Sequence, residues 1–101
     1  MSKFTVSKAA STDIRSIARY TQDTWGSDLR RRYLDGLNEK FEVLAAMPEL
    51  AAERRDFRPP VRIHHYEKHL IIYVINGSGI LIVRVLHQSQ DVPAQLSGET
   101  D

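Results

Sequence analysis

"HLIIYVINGSGILIVRVLH", His69 to His87, is the stretch that decides the fold. Leu70 to Ile75 is an unbroken apolar run rich in β-branched residues, which suits a strand covered on both faces. Asn76 to Gly79, "NGSG", is a hairpin signal, because asparagine and glycine tolerate positive φ. Ile80 to Leu86 then returns as a second apolar strand. Upstream, Val61, Ile63 and His65 alternate with Arg62, His64 and Tyr66, as a half-buried strand requires. Between Pro48 and Pro60, "PELAAERRDFRPP" has no periodicity and reads as a basic loop.

The first half of the chain is helical. Lys3 to Val6 alternates as a short strand, and Ser7 is placed to cap a helix. Ala10, Ile14, Ile17, Ala18, Thr21 and Trp25 recur in steps of three and four, one stripe on one helical face. Gly26 closes that helix and Ser27 is placed to cap the next. Leu29, Tyr33, Leu37, Phe41, Leu44 and Met47 form its stripe, and Pro48 stops it. So short a link makes the helices an antiparallel hairpin. The expected fold is α+β, in the order β-α-α-β-β-β. The hairpin packs on one face of a small, mostly antiparallel sheet.

The chain has 101 residues, 42% of them hydrophobic, and a net charge of +1. That fits one domain, residues 1–96, followed by a frayed tail, residues 97–101. The near-neutral balance predicts no direct nucleic-acid binding, so any electrostatic argument is local. With no cysteine, disulfide scaffolds, thiolate metal sites and cysteine nucleophiles are excluded. The start "MSKFTVSKAA" lacks the apolar core of a signal peptide, and no run is long enough to span a bilayer. These features fit a cytoplasmic protein with no membrane partner.

Four segments, in order, resemble the RelE/ParE superfamily of bacterial toxins, and its ParE branch in particular. They are "DIRSIARYTQDTWG" (Asp13–Gly26), "YLDGLNEKFEVLAAMPEL" (Tyr33–Leu50), "VRIHHYEKHLIIYVI" (Val61–Ile75) and "ILIVRVLHQSQDV" (Ile80–Val92). The resemblance implies the toxin of a type II toxin–antitoxin system, which acts on DNA gyrase by binding. It also implies a cognate ParD-like antitoxin that wraps the toxin in a hetero-oligomer. RelE-type members of the same fold are ribosome-dependent mRNA endonucleases, which is the alternative, along with an inactive toxin that only binds its antitoxin.

RNA cleavage needs a base for the 2′-hydroxyl, an acid for the leaving oxygen and cations on the phosphate. On the resemblance, Leu70 stands where the nucleases place an arginine, and Gln88 where they place a tyrosine. Leucine holds no phosphate, and glutamine is no acid. His87 therefore reads as a cap on the last strand, bonded to backbone or to Asp91, and no residue is assigned as catalytic. His64, His65, His69 and Glu67 hint at zinc, but neighbours on a strand face opposite ways, so neither metal nor cofactor is expected. Arg54, Arg55, Arg58, Arg62 and Lys68 against Asp56 and Glu67 leave a local positive surplus. The expected target-binding residues are Arg62, Arg84, His87, Gln88 and Asp91. Those expected to meet the antitoxin are Tyr20, Trp25, Leu34, Leu70, Ile72 and Arg58. Tyr20 and Trp25 also read as packing residues of the hairpin.

Overall fold

The computed structural model describes residues 3–97. The chain runs β1 (Phe4–Val6), α1 (Lys8–Trp25), α2 (Ser27–Ala46), a 3-10 turn (Pro48–Leu50), β2 (Glu53–Arg54), β3 (Val61–Tyr66), β4 (His69–Asn76), β5 (Gly79–His87) and α3 (Val92–Ser97). The five strands form one sheet in the order β1-β5-β4-β3-β2. β1 runs parallel to β5, and the other pairs are antiparallel. Parallel neighbours need a crossover, and here most of the chain between β1 and β5 intervenes, the helix hairpin included.

The expected β-α-α-β-β-β order holds, with a 3-10 turn and β2 added before β3 and α3 added after β5. The segment read as a bare loop contains the 3-10 turn and the two-residue β2, too short to leave a periodic signal. Tyr73 explains their position: its hydroxyl donates to the Pro48 carbonyl (2.8 Å) and accepts from the Ala51 amide (3.4 Å). The Arg62 guanidinium adds a bond to the Ala51 carbonyl (2.7 Å). Ser97, assigned to the tail, ends α3, and residues 98–101 lie outside the described residues.

Ser7 caps α1 as expected: its hydroxyl accepts from the Ala10 amide (3.0 Å) and donates to the Val83 carbonyl (2.7 Å). Gly26, with φ 97, both closes α1 and stands at the N-cap of α2. Ser27 is already inside that helix, so its expected capping role falls to a glycine without a side chain. Gly36 on α2 makes room for a side chain. Tyr66 reaches from β3 to give its hydroxyl to the Tyr33 carbonyl (3.0 Å), and a Cβ on Gly36 would overlap that hydroxyl.

Two apolar layers flank the sheet. Under the helices, Ala10 and Ile17 of α1 and Leu37, Phe41 and Leu44 of α2 pack with Ile71, Tyr73, Ile80, Ile82 and Val85. Fully burying a large aliphatic side chain contributes about 1.5–3 kcal/mol. On the far face, Ile72, Leu86 and Val61 lie beneath Phe57 and the α3 residues Val92 and Leu96. The apolar strand is thus covered on both faces by this chain itself, although Ile75 at its end is exposed. Leu29 and Met47, both placed on the α2 stripe, are exposed as well.

The β4–β5 hairpin turns at Gly77 (φ 63), with Asn76 opposite Gly79. Its pairing is regular as far as Tyr73 opposite Ile82. There the register shifts, so that Ile72 faces Arg84 and Val83 has no residue opposite. This one-residue bulge carries forward to the far end of the hairpin, where His69 lies opposite His87.

Candidate functional site

Burial on α1 ends at Thr21, and the tip of the hairpin stands clear of the core. Tyr20 is 67% exposed and Trp25 65% exposed. The expectation that these aromatics pack the hairpin is therefore corrected: Trp25 carries the sequence's stripe past the last core contact, and Tyr20 lies off that stripe. Beneath the tip lies an open groove of about 820 Å³. Ile17, Tyr20, Trp25, Leu29 and Tyr33 line one side, and Lys68, His69, Val85 and His87 the other. Thr21 also faces it, with its hydroxyl satisfied by the Ile17 carbonyl (2.7 Å).

An aromatic series crosses the groove. Tyr66 and Tyr33 have ring centroids 5.1 Å apart. Tyr33 meets the His69 ring edge-on at 5.6 Å, and His69 meets His87 edge-on at 5.4 Å. The Tyr33 hydroxyl is hydrogen-bonded to His69 Nδ1. Burial, then the nearby Tyr66 and Glu67, push the Tyr33 phenol up to about 12, opposed by the Lys68 amide. Tyr33 accordingly keeps its proton at neutral pH. Burial, then His87, hold the His69 imidazole below its ordinary value, which favours the neutral ring.

His87 is a cap, as the sequence implied, and of the two expected partners, backbone and Asp91, it is backbone, at Ser89, that it meets. The Ser89 amide donates to His87 Nδ1 (3.1 Å), and the Ser89 hydroxyl lies 2.7 Å from the same nitrogen. Gln90 closes the turn, its side-chain oxygen accepting from the His87 amide (2.8 Å). The Gln88 amide reaches the Lys68 carbonyl (2.8 Å), and the Gln88 side chain is exposed. Asp91 is exposed and caps α3 through the Ala94 amide (3.4 Å).

Arg84, expected to meet the target, faces inward. Its Nε and an Nη donate to the two carboxylate oxygens of Asp13 at 2.7 and 2.9 Å, and the Val85 amide adds a third bond (3.0 Å). The two side chains are 13% and 14% exposed. Arg62 is half-buried against the 48–52 segment rather than the C-terminal one, while Arg58 is exposed. Leu70 and Ile72, expected to meet the antitoxin, are 8% and 0% exposed, because neighbouring elements of this chain cover β4. Leu34 is half-buried. The structure thus brings together Tyr20, Trp25 and His87 and disperses the rest.

Sequence reasoning missed Tyr33 and His69 as groove residues. Tyr33 sits on the helical stripe, where the sequence pattern signals core. His69 lies near His64 and His65 in the sequence, whereas its ring meets Tyr33 of α2 and His87 of β5.

A family model described as the ParE toxin of the type II toxin–antitoxin system parDE matches residues 4–92. The chain is 33% identical over 96 residues to Toxin ParE1 of Mycobacterium tuberculosis, covering 94% of this chain and 98% of that protein. It is 29% identical to Toxin ParE of Escherichia coli, covering 96% and 95%. A solved structure described as the chromosomal ParDE TA system from P. aeruginosa superposes with a TM-score of 0.73 at 19% identity, over 86% of this chain and 96% of that one. The fold is shared with that structure, and on the family match and these identities the chain belongs to the ParE toxin family of type II toxin–antitoxin systems.

Proposed function

We propose that this ParE toxin inhibits DNA gyrase by binding and is neutralised by a ParD-like antitoxin that occupies the same groove, both in the cytoplasm. The solved ParDE system with this fold supports an antitoxin partner. One observation carries the choice of binding over cleavage: Arg84, the strand arginine nearest the groove, is spent on Asp13. A phosphate in transit would need cations free to meet it, and Lys68, beside Glu67, is the one cation lining the groove among the described residues. Tyr20 and Trp25, expected to meet the antitoxin, share the groove with His87, expected to meet the target. A single occupant would then block the toxin by covering what it uses.

The second reading is a ribosome-dependent mRNA endonuclease. The observation in its favour is the His69–His87 pair, two imidazoles within reach of one ligand. Expression of the chain alone in bacteria separates the two. An SOS response with cleaved gyrase–DNA complexes is expected, whereas mapped cuts in ribosome-bound mRNA without DNA damage would replace the first reading with the second.

A further inference from the structure

The contacts at the two groove histidines fit one and the same tautomer. An amide N–H can only donate, so the bond from the Ser89 amide makes His87 Nδ1 an acceptor. In the neutral ring the proton then sits on Nε2. Tyr33 retains its phenolic proton, and its oxygen lies by the Lys68 amide, which can donate to it. With the phenolic proton donated to His69 Nδ1, His69 also carries its proton on Nε2. The two rings are opposite each other in the β4–β5 register and both line the groove. The side of the groove lined by Lys68, His69 and His87 is consequently rich in donors, two Nε2–H groups and the Lys68 ammonium, with the Trp25 indole N–H on the other side.

What such a groove accepts follows from its charge. Asp13, Glu67 and Lys68 are its charged lining residues among those described, and Asp13 is already paired with Arg84. The remainder, one Glu and one Lys, is close to neutral. A nucleic acid would bring a phosphate for every nucleotide and find one cation to meet them. The donors call for a single acceptor-rich group, and the exposed Tyr20, Trp25 and Leu29 call for apolar surface beside it.

We infer that the groove receives a peptide segment of the antitoxin, with one side-chain carboxylate held by the Nε2–H groups of His69 and His87 and an apolar or aromatic side chain set against Tyr20, Trp25 and Leu29. This rests on reading the groove as a protein-binding surface, and it identifies the chemistry of the segment bound there.

The probe is 4-phenylbutyrate, which joins an apolar ring to one carboxylate. It is titrated into the purified chain beside its neutral analogue 4-phenylbutanamide, with histidine-ring nitrogens and the Trp25 indole followed by NMR. The free chain should show the Nε2–H tautomer at both histidines. Phenylbutyrate should shift both rings and the indole and bind at least about tenfold tighter than the amide, the scale of hydrogen bonds to a charged acceptor. His87→Asn can keep the Ser89 contact through its side-chain oxygen but lacks the Nε2 donor, and should lose most of that preference. His87→Gln, with an amide nitrogen near the Nε2 position, should recover part of it. Equal binding of acid and amide, or an unchanged preference in a folded His87→Asn chain, overturns the inference. So does tighter binding by inorganic phosphate or a trinucleotide RNA at the same resonances, which would assign the donors to nucleic acid. The titration contains no gyrase, so its failure is distinct from failure of the proposed target.

Discussion

Asp13 connects packing to function at the scale of single residues. Its carboxylate satisfies the Arg84 guanidinium twice and the Val85 amide once, in a setting largely closed to water. Removing one member of a buried pair leaves the other charge without its counterpart, at about 3–5 kcal/mol. Asp13→Ala should therefore lower the unfolding free energy in urea by about 3 kcal/mol, and Asp13→Leu combined with Arg84→Met should recover much of that loss. A surface pair such as Arg31–Asp28, at 4.0 Å and well exposed, should yield far less when broken. His69 gives a pH dependence. Its ring faces Tyr33 and His87, with Glu67, Lys68 and the paired Asp13 lining the same groove. Burial and His87 lower its folded pKa beneath the ordinary 6.5, so the unfolded chain binds more protons between those two values. Stability should accordingly be full above pH 6.5 and fall as the pH drops toward the folded value. His64 contributes with the same sign, through burial, Lys40 and His65. Urea midpoints measured across that window should show the decline, and His69→Gln should flatten it.

The bulge at Val83 does most to shape the site at the scale of elements. Counting back from the "NGSG" turn without it would set His69 opposite Leu86 and send His87 to the other face of the sheet. The extra residue brings the two histidines together. β1, β3, β4 and β5 and the turn between the last two are legible in the sequence, since alternation, apolar runs and glycine are local signals, whereas the two-residue β2 is too short to leave one. The bulge is not legible, because nothing in "ILIVRVLH" distinguishes Val83 from its neighbours, and so the sequence does not place His69 and His87 in one site. The same limit applies to α3. Val92 and Leu96 are two apolar residues in a polar segment, and only the bare far face of β4 and β5 gives them a place. Ser7 ties the helical layer to this bulge, since its hydroxyl both caps α1 and donates to the Val83 carbonyl. Ser7→Ala should cost about 1–2 kcal/mol, measured by thermal or urea unfolding. A change confined to a few tenths would mean that the cap and the Val83 bond are both replaced by water.

The whole molecule presents a covered sheet, an internally paired strand arginine and an open aromatic groove beneath the hairpin tip. Tyr20 and Trp25, expected to meet the antitoxin, and His87, expected to meet the target, line that groove, and the proposal that antitoxin and target share one surface rests on this. The direct test of the account is to add the purified chain to purified gyrase and supercoiled plasmid, and to measure linear DNA trapped on the enzyme after denaturation. Trapped cleaved DNA that rises with toxin concentration, and disappears when the cognate antitoxin is added first, is the predicted result. Gyrase unaffected at saturating toxin, with the same preparation cutting mRNA on ribosomes, would contradict it.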